Sequence, residues 1–269
     1  MTDFLQQMAS MSKERAANAP QTFTASQLDK PVHALQLKSF DIIAEIKDRS
    51  PSEGALAAES RSRAQQAEEY VSGGAAAISV LTESSRFAGD LEHLAEVSNI
   101  ALTNKIPTMR KDFLVDPVQI LEARAAGASG VLLIAAMLSD NTLNAMLDCA
   151  WEHSMFVLLE SFDEEDLKRT RNLMGSNRGL QQVEAKRFLA GVNTRNLRTL
   201  QVDPDRLKDL ASSLPGNAVS VAESGLHNAA HVKSAVSLGY AMALVGTAFM
   251  RSAKPRSLLS DMLAAGRGA

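Results

Sequence analysis

Asp41-Ile42-Ile43-Ala44-Glu45-Ile46-Lys47 is the stretch of the sequence that decides the fold. Its mostly apolar residues are typical of a strand that is buried on both faces, as in a parallel sheet covered by helices. The stretch nevertheless closes on Glu45 and Lys47, although an unpaired buried charge is costly. Charged groups at the carboxyl end of such a strand are typical of an α/β enzyme site.

The same pattern recurs along the chain. Short apolar runs lie near residues 41–47, 75–81, 107–111, 130–135, 155–160, 189–193, 218–223 and 241–246. Helix-type segments lie between them, near residues 61–73, 90–104, 116–126, 140–153, 163–173, 203–213, 228–238 and 255–265. Eight such units of about 30 residues predict an α/β fold, a (β/α)₈ TIM barrel. An open doubly wound sheet is the alternative, but no G-x-G-x-x-G motif follows the first strand.

The sequence divides into an N-terminal extension and a catalytic domain. Residues 1–40 predict an N-terminal helical extension, and residues 41–269 predict the barrel. Within the extension, Leu5–Ala17 and His33–Leu37 are candidate helices that cover the barrel bottom or edge its mouth. The polar stretch Gly175–Lys186 is interpreted as an extended insertion.

Composition narrows the class of protein. The chain has 269 residues and a net charge of -3, which gives no electrostatic argument for binding nucleic acid or an anionic membrane. Its one cysteine, Cys149, excludes an intramolecular disulfide and is expected to be a small buried hydrophobe in the helix Leu143–His153. There is no signal-like apolar region near the N-terminus and no apolar run of ~18 residues. We expect a soluble cytoplasmic protein.

Six polar residues end the predicted strands. In a barrel they converge on one mouth, where lysines and carboxylates can pair and exchange protons. A purely structural ion-pair network is the alternative. The six are Glu45, Lys47, Lys111, Glu160, Asn193 and Glu223.

Small residues follow the seventh and eighth strands. Ser224 with Gly225, and Gly246 with Thr247, occupy the loops that form the usual phosphate site of such barrels. Arg195 could add a charge-assisted contact to the same phosphate. Ordinary turn glycines are the alternative interpretation.

Apolar side chains near strands two to four predict a slot for an aromatic ring. Phe87, in a polar loop, and Phe113 are the stronger candidates, whereas Leu132 and Ile134 also fit ordinary core packing. No metal site is predicted, because the five histidines lie in predicted helices or their caps. His227 and His231 are spaced i,i+4 but fit a solvated helix face.

At this point the motifs resemble those of the indole-3-glycerol phosphate synthase family of tryptophan biosynthesis. The resemblance extends over about residues 40–265, in order, and reaches all eight strand ends. The motifs are Ile43-Ala44-Glu45-Ile46-Lys47 with Ser50-Pro51-Ser52, Ile78-Ser79-Val80-Leu81-Thr82, Phe87-Ala88-Gly89, Arg110-Lys111-Asp112-Phe113, Gln119-Ile120, Glu122-Ala123-Arg124, Val131-Leu132-Leu133-Ile134, Glu160, Gly191-Val192-Asn193-Thr194-Arg195-Asn196-Leu197, Glu223-Ser224-Gly225 and Leu244-Val245-Gly246.

The resemblance implies a (β/α)₈ enzyme that converts 1-(2-carboxyphenylamino)-1-deoxyribulose 5-phosphate to indole-3-glycerol phosphate with loss of CO₂ and water. It implies no metal and no organic cofactor. The partner is a phosphorylated small molecule, and the enzyme is a monomer or weak homo-oligomer with possible contacts to other enzymes of the tryptophan pathway.

Residue roles follow from the resemblance alone. Lys111 matches the general acid that protonates the substrate ketone, and Lys47 matches the lysine that holds anionic groups and transfers protons. Glu160 matches the carboxylate that assists dehydration. The residues that position the substrate, including those of the phosphate cradle, match Glu45, Asn193, Glu223, Ser52, Ser224, Gly225, Gly246 and Thr247.

Several positions depart from the family pattern. Glu53 stands where many relatives have lysine, and we expect it to point away from the substrate, toward Arg49 or Arg61, in a first loop that closes over the ligand. Thr194, Thr247, the pair Ser161-Phe162, the insertion near 175–187 and a weakly matching N-terminal segment also differ. The alternative is therefore a divergent paralogue that acts on another phosphosugar or serves as a non-catalytic phosphate-binding partner.

Overall fold

Eight parallel strands form a closed barrel in the computed structural model, which describes residues 4–20, 22–51, 54–56, 61–197 and 201–269. Each strand pairs with its sequence neighbours, and the first pairs with the last through Asp41 and Met242. The predicted barrel is thus confirmed and the open sheet is excluded. The strands are β1 Asp41–Ile46, β2 Ala77–Leu81, β3 Thr108–Lys111, β4 Gly130–Ile134, β5 Phe156–Ser161, β6 Phe188–Asn193, β7 Val219–Glu223 and β8 Met242–Val245.

Helices surround the barrel and connect successive strands. Sequence signals explain where several begin: the carboxylate of Asp116 accepts the backbone N–H of Val118, with Pro117 in the first turn. The helices are α1 Phe4–Ala17, α2 Ala25–Leu28, α3 Arg63–Gly73, α4 Ser84–Phe87, α5 Leu91–Leu102, α6 Pro117–Ala125, α7 Asp140–Glu152, α8 Glu164–Gly175, α9 Asn177–Glu184, α10 Arg206–Asp209, α11 Ala229–Ser237, α12 Thr247–Arg251 and α13 Pro255–Arg267. Short 3₁₀ turns occupy Ala135–Met137 and Ala211–Ser213.

The predicted extended insertion is wrong, because helix α9 occupies most of it. The hydroxyl of Ser176 accepts the Gly179 N–H and caps the helix. Val183 is buried on the inner face. On the outer face the Arg178 guanidinium stacks over Trp151, 5.2 Å from the ring centroid. A cap and one apolar stripe are enough for a two-turn helix that tertiary contacts stabilise.

The helix predicted at His33–Leu37 is also wrong. These residues are irregular, and alternate side chains, Leu35 and Leu37, pack into the same apolar cluster as Ile43 and Met109. A spacing of two residues puts side chains on one side of an extended chain and not of a helix. The segment therefore covers the bottom of the barrel as extended chain, and the His33 N–H donates to Ser129 Oγ at 3.0 Å.

Helix α1 lies at the mouth of the barrel, one of the two places that the sequence left open. Its Phe4 ring contacts Phe113 edge-on, with centroids 5.9 Å apart. At its other end, Arg15 forms ion pairs with Asp112 at 2.6 Å and with Glu83 at 3.4 Å. Both acidic residues follow the carboxyl ends of strands, so α1 becomes part of the wall above them.

The segment at 203–213 forms less helix than predicted. Asp203 does not cap it; its carboxylate instead accepts the Asp205 N–H at 3.2 Å within a turn, and α10 spans only four residues. The chain then tightens into a 3₁₀ turn, where the Ser213 N–H donates to the Leu210 carbonyl. Among the described helices, none is long and apolar enough to cross a membrane.

Candidate active site

A cavity of about 330 Å³ opens at the carboxyl ends of the strands. Five of the six polar strand-end residues line it. The sixth, Glu160, is fully buried directly beneath Lys111. The five that line the cavity are Glu45, Lys47, Lys111, Asn193 and Glu223.

Lys111 is the centre of the charged group. Its Nζ lies 3.0 Å from Glu160 Oε2 and 3.9 Å from Glu223 Oε2. Burial alone would lower the pKa of this lysine, but the surrounding carboxylates outweigh burial and hold the pKa above its ordinary value. Lys111 therefore faces the cavity as an ammonium group.

Glu223 is held in an unfavourable environment for a charge. It is 1% exposed, and neither carboxylate oxygen has a hydrogen-bond partner among the described residues. Burial, followed by repulsion from Glu160, raises the pKa of Glu223 well above its ordinary value, and Lys111 offsets this only in part. The three groups thus form a coupled acid–base cluster.

Glu45 and Lys47 form a second pair at the carboxyl end of β1. Their Oε1 and Nζ atoms are 2.8 Å apart. Two glycines make room for the carboxylates of the site. A Cβ at Gly246 would meet Glu45 Oε1 at 2.4 Å, and a Cβ at Gly191 would meet Glu223 Oε1 at 2.2 Å. Gly246 therefore contributes space for the Glu45–Lys47 pair as well as a turn after β8.

The loops after β7 and β8 line one side of the cavity. Ser224 and Gly225 both have positive φ, 66° and 75°, and Thr247 begins helix α12 directly after Gly246. Arg195 lies beside them, with its backbone N–H donating to Asn193 Oδ1 at 2.9 Å. Small residues and one guanidinium thus face the same side, as a phosphate site requires.

Aromatic residues form the opposite side. Phe87 and Phe113 line the cavity with ring centroids 6.1 Å apart, and Phe4 backs Phe113. Phe87 ends the short helix α4 instead of a loop, and the carboxylate of Glu83 caps that helix. Ile134 reaches the cavity, whereas Leu132 is fully buried and does not line it.

A network that the sequence did not predict supports this wall. Asp112 accepts hydrogen bonds from Thr82 Oγ1 at 2.7 Å and from Arg110 at 3.2 Å, in addition to the Arg15 pair. In the sequence, Asp112 appeared only as a member of the motif around Lys111, with no role of its own. Arg15 had no signal, because a helix of mixed polarity does not reveal which distant carboxylates it meets.

Other sequence-derived residues lie elsewhere. Ser52 and Glu53 lie outside the described residues, so their expected roles stay predictions. Arg61, one of the two expected partners of Glu53, donates hydrogen bonds to Gln66 and to the carbonyls of residues 252 and 253. Cys149 is half-buried in α7, and burial raises the pKa of its thiol to about 11. Among the described residues, no group of three or more His, Cys, Asp or Glu side chains could hold a metal ion.

The fold and the mouth together define a (β/α)₈-barrel enzyme whose site combines paired lysines and carboxylates with loops suited to a phosphate. The barrel itself resembles those of enzymes with low sequence identity to this chain. A thiamine phosphate pyrophosphorylase from Pyrococcus furiosus superposes with a TM-score of 0.57 at 14% identity, over 86% of this chain and 96% of that one. A mandelate oxidase mutant with an FMN adduct gives 0.56 at 15% identity, over 98% and 86%. These likenesses concern the fold alone.

Sequence comparison is more specific. Residues 4–262 match the family described as indole-3-glycerol phosphate synthase, including the N-terminal segment that had matched weakly by motif. The indole-3-glycerol phosphate synthase of Mycolicibacterium gilvum is 40% identical over 254 residues, 94% of this chain and 85% of that protein. That of Koribacter versatilis is 40% identical over 222 residues, 82% and 79%. The chain belongs to the indole-3-glycerol phosphate synthase family, which comprises carboxy-lyases of tryptophan biosynthesis.

Proposed function

We propose that the mouth cavity converts 1-(2-carboxyphenylamino)-1-deoxyribulose 5-phosphate to indole-3-glycerol phosphate. The observation that carries the proposal is the position of Lys111, which faces the cavity while two buried carboxylates hold its ammonium group. Ring closure needs an acid at the ketone oxygen, and Lys111 is the charged donor between the aromatic and the phosphate sides of the cavity.

The substrate has two dissimilar ends, and the cavity has two dissimilar sides. The phosphate fits the loops of Ser224–Gly225 and Gly246–Thr247 with Arg195, where small residues and a cation line the cavity. The carboxyphenyl ring fits the side formed by Phe87 and Phe113. This orientation brings the ketone, which lies between the two ends of the molecule, toward Lys111.

The chemistry divides among the charged residues. An aromatic carbon attacks the ketone carbon while Lys111 donates a proton to its oxygen, which becomes a hydroxyl group. Loss of CO₂ restores the aromatic ring, with Lys47 near the departing carboxylate. Glu160 then assists removal of the hydroxyl as water. Glu45 holds Lys47, and Asn193 and Glu223 position the substrate and tune the lysines.

One assay tests the whole proposal. Purified protein is mixed with the carboxyphenylamino substrate, and indole fluorescence is followed alongside CO₂ release. The wild type should form indole-3-glycerol phosphate and CO₂ in equal amounts, and Lys111→Ala should form neither at a comparable rate. Substrate binding without indole formation would support the non-catalytic alternative. Turnover of a different phosphosugar, with no indole product, would support the divergent paralogue.

We also propose that the protein acts in the cytoplasm without nucleic acid or membrane as a partner. A net charge of -3 offers no general attraction to polyanions. A monomer or weak homo-oligomer is expected from light scattering after size-exclusion chromatography. Co-elution with other enzymes of the tryptophan pathway tests whether it contacts them.

A further inference from the structure

A second cavity, of about 460 Å³, lies at the opposite end of the barrel from the mouth. Its wall comes from the extended segment after α2 and from the turns that precede β4, β5 and β6. We call it the bottom cavity. Its size falls within the range of about 300–1,000 Å³ that is usual for small-molecule sites.

The bottom cavity is strongly cationic. Among the described residues of its wall, one carboxylate, Glu152, accompanies four permanent cations and two histidines, and Asp29 lies near enough to attract the Arg124 guanidinium. The excess of positive charge in this wall contrasts with the net charge of the whole chain, which is -3. The six basic residues are Lys30, His33, Arg124, His153, Lys186 and Arg187.

Several of these groups lack partners within the protein. Lys30, Lys186 and Arg187 form no side-chain ion pair or hydrogen bond with any described residue. Arg124 is 4% exposed and donates from Nη2 to the Lys30 carbonyl, but its buried Nη1 has no hydrogen-bond partner among the described residues. Buried donors are normally paired, and one left unpaired is costly.

The segment that departs from the family pattern builds part of this wall. Helix α9 ends at Glu184, and Lys186 follows it with a φ of 56°, in the left-handed region. Glycine holds the equivalent turn at Gly74, Gly127 and Gly239, whereas Lys105 and Ser154 hold it in two others. Glycine would relieve the strain at residue 186, yet a lysine is present and its side chain lines the cavity.

The backbone presents these cations in a fixed arrangement. The Arg187 N–H donates to the Gln182 carbonyl at 2.8 Å, and the Arg187 carbonyl accepts the Val157 N–H at 2.7 Å. We propose that the bottom cavity binds a small polyanion carrying two or more phosphate-like groups. A small ligand is favoured over a nucleic acid because the cations line one concavity, whereas the protein as a whole is acidic.

Calorimetric titration with sodium tripolyphosphate, at ionic strength matched with sodium chloride, tests the proposal. The double variant Lys186→Glu/Arg187→Glu should raise the Kd for tripolyphosphate about tenfold or more, because two attractive charges become repulsive. The matched control is Lys168→Glu/Lys233→Glu, which makes the same charge change at two exposed helical positions outside both cavities. Equal loss in both doubles would overturn the proposal, since only net charge would then matter.

The mouth must be separated from the bottom cavity, because it also attracts phosphate. Arg195→Ala removes a cation from the mouth and should leave tripolyphosphate binding at the bottom cavity intact. If Arg195→Ala abolishes binding while the Lys186/Arg187 double retains it, the ligand occupies the mouth alone and the proposal fails. Absence of binding by the wild type also overturns it. Ring-closing activity is not the readout, so these outcomes are independent of the proposed function.

A glycine substitution separates binding from stability. Lys186→Gly should raise Tm by relieving the positive φ, while weakening tripolyphosphate binding about two- to fivefold through loss of one partly exposed charge contact. Lys105→Gly is the matched control, because Lys105 has a φ of 54° in another helix-to-strand turn and does not line the bottom cavity. It should raise Tm alone. Unchanged affinity in Lys186→Gly, together with unchanged affinity in the double variant, would show that these cations do not bind the anion.

Discussion

The Nζ atom of Lys111 lies 3.0 Å from Glu160 Oε2, and the carboxylate is fully buried whereas the lysine reaches the cavity. The pair is therefore asymmetric: Glu160 fixes the position and charge of Lys111 from below, and Lys111 presents a proton from above. A general acid must be both charged and oriented before the substrate arrives.

Replacement of Lys111 tests this arrangement directly. Lys111→Ala should lower kcat by about 10²–10⁴-fold, the usual contribution of a positioned general acid. Lys233→Ala, at an exposed position on α11, is the control and should retain full activity. Circular dichroism establishes that both variants fold. Activity of Lys111→Ala within about threefold of wild type would show that another group is the acid.

The raised pKa of Glu223 predicts a pH-dependent stability. Because its pKa is higher in the folded protein than in the unfolded chain, folding favours the protonated form, and stability falls as pH rises from the ordinary glutamate range through the folded pKa. Glu223→Gln removes this dependence. The Tm difference between Glu223→Gln and the wild type should therefore grow in favour of the variant from pH 5 to pH 8. It should grow by about 2–4 °C for each kcal/mol of unfolding free energy that the wild type loses over this range.

The control for this measurement is Glu184→Gln, which neutralises an exposed carboxylate at the end of α9. It should leave the pH profile of Tm unchanged. A Glu223→Gln variant that loses stability at pH 8 would mean that the attraction between Glu223 and Lys111 outweighs the burial of the charge.

Two glycines should be intolerant of a methyl group for a reason specific to the site. Gly191→Ala would place Cβ 2.2 Å from Glu223 Oε1, and Gly246→Ala would place it 2.4 Å from Glu45 Oε1. Each should displace a carboxylate and lower kcat by about tenfold or more, because misplacement of about 1 Å can cost about 10²-fold. Gly216→Ala meets nothing within 4 Å and is the control. Normal kinetics in Gly191→Ala would show that Glu223 moves without consequence.

The sequence predicted the strand ends well because one signal, a polar residue closing an apolar run, was repeated in five of the eight units. All eight strand boundaries were within two residues of the observed ones. Leu132 shows the limit of that reasoning. Alternation along a strand cannot distinguish a side chain at the floor of a cavity from one buried below it. Ile134, two residues further along the same face, reaches the cavity.

Contacts between distant segments were not predictable in the same way. Helix α9 was missed because it is a polar segment of only eight residues with a single short apolar stripe, and it depends on Trp151 and the core for its position. The place of α1 depends on Arg15 meeting carboxylates that lie 68 and 97 residues away in the chain. No local pattern specifies such pairs.

Arg15 should stabilise both the fold and the aromatic wall. Its side chain is 29% exposed, but Glu83 and Asp112 are fully buried and would each lose a partner in Arg15→Ala. We expect a loss of about 1–3 kcal/mol in the free energy of unfolding. KM should also rise, because Glu83 caps the helix that carries Phe87.

Asp148→Ala provides the comparison for Arg15, because it removes an exposed ion pair with Arg178 and leaves Arg178 stacked over Trp151. The pair is exposed on both sides, at 45% and 42%, so its loss should cost at most about 1 kcal/mol. Urea denaturation of both variants, with KM measured in parallel, checks the difference. Equal costs would show that burial of Glu83 and Asp112 does not strengthen the contacts to Arg15.

Ser224 allows the phosphate side of the mouth to be tested with nearly isosteric variants. Its φ of 66° lies in the left-handed region, which Asp and Asn both tolerate. Inorganic phosphate at about ten times its Kd should raise the wild-type Tm by about 2–5 °C by mass action. Ser224→Asp should abolish this shift and raise KM, because a carboxylate would face the phosphate. Ser224→Asn changes shape similarly without the charge and should keep most of the shift. If both variants retain it, or if matched chloride gives the wild type the same protection, the loops after β7 and β8 do not hold the phosphate.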